Sequence, residues 1–211
     1  MIGGRVLAIR ERMARAAERA GRAASEITLV AVSKKHTEAS IREAYAAGIR
    51  DFGENRVQEA EGKVSALEDL DGVRWHLVGH LQGNKARKAI DLFHLIHSLD
   101  TVELCHRIDR LAPELGGRSL RALVQVEMGG EATKSGFETK VLLESLRALR
   151  GLRALKLSGL MCIPPPDPEP ERTRPFFRSL RALRDQALAE GLLAGEDLSM
   201  GMSHDFEVAI E

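Results

Sequence analysis

Ile27-Thr-Leu-Val-Ala-Val-Ser-Lys34 is an apolar run that stops at a lysine, and Thr37-Glu38 opens an amphipathic segment just after it. An apolar run of this length reads as a buried strand. Thr37 suits the N-cap of a helix reaching about Ala47, with Glu38 in its first turn and Gly48 past its end. A lysine that ends a buried strand has its amine at a sheet edge, partly out of water. Desolvation disfavours the ammonium, so the pKa is expected to fall from about 10.4. A neutral amine in that place can attack a carbonyl and form a Schiff base. The alternative is a solvated lysine that simply ends the strand.

Outward from this run the pattern repeats. Upstream, Val6, Ile9, Met13 and Ala17 recur at helical spacing, and Gly21 stands where a helix C-cap is expected. Downstream, strands are predicted at Ile49–Phe52, Trp75–Val78, Leu95–Ser98, Leu120–Val126, Leu155–Leu160 and Asp197–Met200. Helices are predicted between them at Val57–Leu67, Lys85–Ile90, Thr101–Leu111 (with Asp100 as its cap), Lys140–Leu149 and Pro175–Glu190, and a last one begins near His204. Strict alternation of this kind predicts a parallel sheet.

An open doubly wound sheet and a closed barrel both satisfy that alternation. No Gly-x-Gly-x-x-Gly follows the first strand, which counts against a dinucleotide-binding open sheet. Polar or functional residues instead end nearly every strand: Lys34, Glu54 with Asn55, His80 with Gln82, Ser98 with Asp100, Glu127, Met161 and Ser203. Chemistry spread around the strand C-termini is the habit of a (β/α)8 barrel. Such a barrel usually takes about 250 residues, whereas this chain of 211 holds seven strand–helix units, so an eighth strand is expected to be missing. The proline-dense stretch Ile163-Pro-Pro-Pro-Asp-Pro-Glu-Pro-Glu171 reads as a stiff loop on the site face, within a single domain spanning 1–211.

Composition narrows the function classes. Aromatic residues are 4% of the chain, so the core must be aliphatic. Thirty-one basic and 31 acidic residues cancel, which offers no nucleic-acid or membrane surface on charge grounds. Cys105 and Cys162 stand far apart without ligand-type spacing, as in a reducing compartment. No apolar stretch is long enough to span a bilayer, and the N-terminus runs directly into charged helix. A soluble cytoplasmic protein is expected.

Four segments carry candidate chemistry. Phe52-Gly-Glu-Asn55 places Asn55, which offers both donor and acceptor, at a strand end; a plain helix N-cap is the alternative. Trp75-His-Leu-Val-Gly-His-Leu-Gln-Gly-Asn-Lys85 puts His76 inside an apolar run, as a core histidine or as a ring packed beside a planar cofactor. Gln82, Asn84 and Lys85 form a polar loop suited to an anion or to capping. Gly129 to Phe137, rich in glycine and hydroxyls, reads as a surface loop or lid. Leu198-Ser-Met-Gly-Met-Ser-His-Asp-Phe-Glu207 is the sharpest phosphate signal: Gly201 lets backbone approach a ligand, and Ser203 is expected to open a helix with free amides. An ordinary N-cap at Ser203 is the alternative.

Ala31-Val-Ser-Lys34, Phe52-Gly-Glu-Asn55, Trp75-His-Leu-Val-Gly-His-Leu-Gln82, His97-Ser-Leu-Asp100, Lys134-Ser-Gly-Phe137, Ser158-Gly-Leu-Met161 and Ser199-Met-Gly-Met-Ser203 occur in this order along nearly the whole chain. Together they resemble the pyridoxal phosphate homeostasis protein family. The resemblance implies a TIM-type barrel of the alanine racemase N-terminal-domain kind. It implies pyridoxal 5'-phosphate on Lys34 rather than Lys35, with a phosphate cup in Ser199 to Ser203 that includes Gly201 and Met202. Asn55, His76 and Met161 complete the expected cofactor-binding set. It further implies a continuation past Glu211 resembling Val-Arg-Ile-Gly-Thr, which would supply the eighth strand and an arginine near the pyridine nitrogen.

Three functions are compatible with a lysine and a phosphate cup. The first is a carrier or regulator of pyridoxal 5'-phosphate in vitamin B6 balance, without turnover, acting as a monomer or weak dimer, with PLP-dependent apoenzymes as candidate recipients. The second is a racemase-like or decarboxylase-like enzyme, which needs a second acid/base on the far face of the cofactor. The sole tyrosine, Tyr45, is placed mid-helix, which favours the carrier, although His76 or Cys162 could support a slow side activity. The third is a Schiff-base aldolase acting on a sugar phosphate.

Overall fold

The computed structural model describes residues 1–115, 120–129 and 135–211. A long helix α1 (Ile2–Arg19) precedes the alternating units. The strands are β1 (Ala31–Val32), β2 (Asp51–Glu54), β3 (Arg74–Leu77), β4 (Leu95–Leu99), β5 (Leu120–Glu127), β6 (Phe137–Glu138), β7 (Leu155–Met161) and β8 (Asp197–Ser199). The helices that follow them are α2 (Glu38–Ala46), α3 (Val57–Ala66), α4 (Ala86–Leu92), α5 (Val102–Leu111), α6 (Leu142–Ala148), α7 (Arg174–Ala189) and α8 (Phe206–Ile210). Every ladder is parallel, in the order β1-β2-β3-β4-β5-β7-β8. The short β6, which the sequence pattern does not announce, pairs with the end of β5.

β1 and β8 form the two free edges, and no ladder joins them among the described residues. The sheet nevertheless curls: His97 of β4 and Ser199 of β8, three places apart in strand order, meet across its concave side at 2.7 Å. The result is a barrel left open at one seam, matching the expected (β/α)8 arrangement short of one strand. β1 is the strand that departs most from expectation. It is an edge with a partner on one side only, so just two residues of the apolar run enter a ladder.

Alternation sorts the two faces. Phe52, Trp75, Leu77, Ile96, Val124 and Leu160 lie on the convex face, all buried in the main core beneath the helices. Full burial of each such side chain contributes about 1.5–3 kcal/mol. α1 closes one end, where Met13, Ala16 and Ala17 pack with Ile210 of α8. Thr37 caps α2 as predicted, its Oγ1 accepting the Ser40 amide at 3.3 Å. The cap of α5 is Thr101, which accepts the Leu104 amide at 3.1 Å, and not Asp100. Asp100 instead holds His80 Nδ1 at 2.7 Å, so its carboxylate is already engaged.

Candidate functional site

Lys34 lies two residues past the β1 ladder, on the turn into α2, with its side chain exposed. The desolvation expected of a strand-ending amine is therefore absent, because an edge strand leaves that side of the turn open to water. What the fold supplies is a fixed backbone. Lys63 of α3 donates its Nζ to the Ser33 carbonyl at 2.7 Å, to Glu54 Oε1 at 2.7 Å and to Glu59 Oε1 at 3.0 Å. Glu59 Oε1 accepts the Lys35 amide at 2.6 Å, and Ser33 Oγ donates to Glu54 Oε1 at 2.6 Å. The carbonyl before Lys34 and the amide after it are thus gripped by one ion-pair cluster. The Lys35 amide, and after it the Lys63 ammonium, hold the Glu59 carboxyl below the usual range. Lys35 itself takes a left-handed φ of 62°, a conformation costly for a non-glycine residue.

Asn55 follows β2 and is half-buried. It does not cap α3; the N-cap is Arg56, without a side-chain cap bond. A Cβ on Gly79 would come within 2.3 Å of the Asn55 carbonyl oxygen, so only a glycine lets these two loops pack together here.

The concave face carries a continuous polar chain. Arg74 grips Asp51 with two hydrogen bonds, Nε to Oδ1 and Nη2 to Oδ2, both 2.6 Å. His76 Nε2 lies 2.9 Å from Asp51 Oδ1, and His76 Nδ1 lies 2.9 Å from His97 Nε2. His97 Nδ1 completes the chain at Ser199 Oγ. Register aligns Gly53 with His76, and a Cβ on Gly53 would touch Val30, Val32 and Val78, so these residues share the face. Burial pushes His76 below its ordinary pKa despite the Asp51 carboxylate beside it. Burial, with His76 next, pushes His97 down to about 3. Burial alone would raise Asp51, but hydrogen bonds from Arg74 and His76 outweigh it and hold that carboxyl below the usual range.

At the β7–β8 edge, Met161 is buried and in register with Ser199. Gly201 has φ of 84°, and a Cβ there would fall 2.8 Å from Ala209 Cβ, so a glycine is required. Met202 and Ser203 are exposed. Ser203 does not open the last helix. α8 begins at Phe206 with Asp205 in the cap position, because the Asp205 carboxylate accepts the Met202 amide at 2.5 Å and closes the turn first. A five-residue helix starting there leaves the helix-terminus argument for a phosphate without support, and Ser199, Gly201 and Ser203 remain as hydroxyl and backbone groups.

The structure thus brings His76, Met161 and Ser199 together through the concave face, with Lys34 and Asn55 at the C-terminal ends of β1 and β2. Gln82 and Asn84 are exposed on their loop. Of the loop from Gly129 to Phe137, 130–134 lie outside the described residues; Ser135 accepts Gln125 Nε2 through its carbonyl at 2.8 Å. Sequence reasoning did not single out Asp51, Arg74, Lys63 or Glu59, and met His97 only within a motif. A usable signal was present: Arg74 and His76 stand two apart, as a strand places residues on one face.

An amine-bearing turn over a curled parallel sheet defines a class, and residues 6–210 match the model of the alanine racemase N-terminal domain. The chain is 44% identical over 207 residues to the pyridoxal phosphate homeostasis protein of Aquifex aeolicus, covering 98% of this chain and 90% of that one. PipY of Synechococcus elongatus PCC7942 without PLP superimposes with a TM-score of 0.88 at 40% identity, over 100% of this chain and 93% of that one. PipY with PLP bound gives 0.82 at 41% identity, over 94% and 92%. The chain belongs to the pyridoxal phosphate homeostasis protein family. No helix among the described residues is long and apolar enough to cross a membrane.

Proposed function

We propose that this protein binds pyridoxal 5'-phosphate reversibly on Lys34 and serves as a cytoplasmic carrier or regulator of it, without catalytic turnover of its own. The observation that carries this reading is the exposed Lys34 amine on a turn whose backbone is clamped on both sides. The residues present fit the cofactor. Glycines 79 and 201 let backbone come close, Ser199 and Ser203 offer hydroxyls toward a phosphate, and Asn55 offers an amide at the adjoining strand end. Both His76 nitrogens are committed, which leaves its ring rather than its polar atoms for contact. When bound, the cofactor supplies an aldehyde that condenses with a primary amine, with loss of water.

The carrier is favoured over a racemase-like enzyme by the fate of each candidate second acid/base. The Tyr45 hydroxyl donates to the Asp71 carbonyl at 3.0 Å, and its ring lies under Arg50. Cys162 is buried and its thiol is pushed up to about 12. His76 is neutral and hydrogen-bonded at both nitrogens. Two buried free cysteines agree with a reducing compartment. Delivery to PLP-dependent apoenzymes by a monomer or weak dimer belongs to the same reading.

Reconstitution with pyridoxal 5'-phosphate tests it. An absorbance band near the visible edge, abolished by borohydride with the added mass on the Lys34 peptide, is expected. No band in the native protein, or an undiminished one in Lys34→Ala, would overturn the proposal.

A further inference from the structure

We propose that Asp205 limits the affinity of this protein for phosphate esters. Its buried carboxylate occupies a backbone amide of the Ser199–Ser203 stretch and sets a negative charge beside it, so a bound phosphate is held loosely and released. This deepens the carrier reading and rests on its assignment of the phosphate to Ser199–Ser203.

Asp205 stands at the N-cap position of α8 but does not act as a cap. An N-cap aspartate ordinarily accepts an amide of the first helical turn; this one makes no such bond and turns back to the Met202 amide at 2.5 Å. The Asp205 and Phe206 amides both return to the Met202 carbonyl, at 3.1 and 2.9 Å, so the backbone of Met202 is tied on both sides. The carboxylate is enclosed, with Asp205 only 1% exposed. Its Oδ2 is buried without a hydrogen-bond partner, and the ion-pair contact it has, His204 Nε2 at 3.6 Å, lies beyond hydrogen-bond reach. It cannot readily swing away, because Gly201 packs directly on the start of α8: a Cβ there would fall 3.0 Å from Phe206 Cα. The charge is felt at the end of β8. Burial first, and then the Asp205 carboxylate, push the Cys162 thiol up to about 12, and the Cys162 amide bonds the Ser199 carbonyl at 3.1 Å.

Backbone cups hold anions because their N–H groups are unpaired and point at the ligand. Here the Met202 amide is already spent on an internal anion. A carboxylate only accepts, and so do the oxygens of a phosphate ester, which is close to dianionic above neutral pH because its second pKa is about 6. The two therefore compete for the same donor and repel each other, and a buried charge is screened much less by salt than an exposed one. Among the described residues no lysine or arginine bonds to Ser199–Ser203 to offset this; the side-chain partners there are His97 and Asp205. Hydroxyls and the remaining backbone groups are left to hold the phosphate against the carboxylate.

Pyridoxine 5'-phosphate and pyridoxine 5'-sulfate isolate this effect from the chemistry at Lys34, since both lack the aldehyde and they differ by about one charge at pH 8. Asp205→Asn removes the carboxylate charge and keeps an oxygen for the Met202 amide. In calorimetric titration at pH 8 the variant should bind the phosphate about tenfold more tightly than the native protein and the sulfate about threefold more tightly, because the repulsion scales with ligand charge. An unchanged or weaker phosphate affinity in a variant with native circular dichroism would sink the proposal. So would an equal gain for both probes, which marks a loosened turn rather than a lost charge. The native protein supplies a second measurement that needs no variant: it should bind the two probes within about fivefold of each other, and a larger preference for the phosphate refutes the proposal. Absence of binding of either probe by the native protein removes the phosphate site and this proposal with it, even where pyridoxal 5'-phosphate still gives the Lys34 band. A missing Lys34 band alongside the expected probe affinities removes the carrier reading and leaves the Asp205 assignment standing.

Discussion

Removing Lys63 should be among the most destabilising single changes in the chain, although it touches no candidate ligand group. Its ammonium is nearly buried, at 10% side-chain exposure, against Glu54 at 0%. Glu54 Oε1 accepts from Lys63 and Ser33, while Glu54 Oε2 has no hydrogen-bond partner. Lys63→Met leaves the carboxylate buried with only the Ser33 hydroxyl, and breaking such a pair costs about 3–5 kcal/mol. Replacing both members by apolar residues of similar volume removes the orphaned charge, so Lys63→Met combined with Glu54→Leu should regain most of the loss. The exposed Arg42–Asp69 pair, with side chains 43% and 58% accessible, is the control: Arg42→Met should cost no more than about 1 kcal/mol. Urea unfolding followed by circular dichroism supplies the four free energies of the Lys63/Glu54 cycle. A cost below about 1 kcal/mol for Lys63→Met, or a double variant as unstable as the sum of the singles, would refute the claim that the pair is a buried, mutually dependent unit. The same variant should weaken cofactor attachment, since the Ser33 carbonyl and Glu59 lose their common partner.

Lys34→Ala should change unfolding free energy by less than about 0.5 kcal/mol, since the side chain is exposed, while abolishing the borohydride-sensitive band; a large loss of stability would show that Lys34 has a structural role. Acid should unfold the protein early. Both rings have folded pKa values below the unfolded value of about 6.5, so the unfolded chain binds more protons and stability present above that pH is lost below it. For His97, lowered from 6.5 to about 3, the loss by pH 3 is on the order of 4 kcal/mol, and His97→Gln should flatten the urea midpoint between pH 7 and 4. Asp51, held below its usual range, adds a loss in the same direction at lower pH. Gly201→Ala should cost about 1–3 kcal/mol and reduce phosphate affinity, given φ of 84° and the 2.8 Å approach to Ala209; an unchanged melting temperature would argue against the tight turn.

Much of the fold was legible because seven apolar runs alternate with helical periodicity, and each found a parallel partner. The length of β1 was not, since pairing depends on how many neighbours a strand has, and an edge strand looks like any other in sequence. Lys34 could be found from its place after an apolar run, but its exposure follows from the same edge. Ser203 misled for a local reason: Ser203 and Asp205 are both good caps, and the choice is made by a carboxylate folding back on the Met202 amide. Asp51 and Arg74 carry no local motif, and the motif that holds His97, His97-Ser-Leu-Asp100, gives no role to the ring. Their meaning comes from register, which sets Asp51 opposite Arg74 and curls β4 toward β8.

That register also bears on the proposed carrier role. Catalysis at a bound aldehyde needs a group that gains and loses a proton beside the reacting carbon. Here the groups of the concave face are committed to one another, from the exposed Arg74 through buried Asp51 and both buried histidines to Ser199. Lys34 stands after β1 and Ser199 within β8, the two free edges of the sheet. A ligand held from both edges gains its affinity from two separately positioned elements. One is fixed by the Lys63–Glu54–Glu59 cluster, the other by the His97–Ser199 contact. On the carrier reading, loosening either would lower affinity, and loosening the first would also cost stability. On that reading the first element responds to competing amines at Lys34, so release at one edge need not disturb the other. A turnover site would instead have to keep both fixed throughout its cycle.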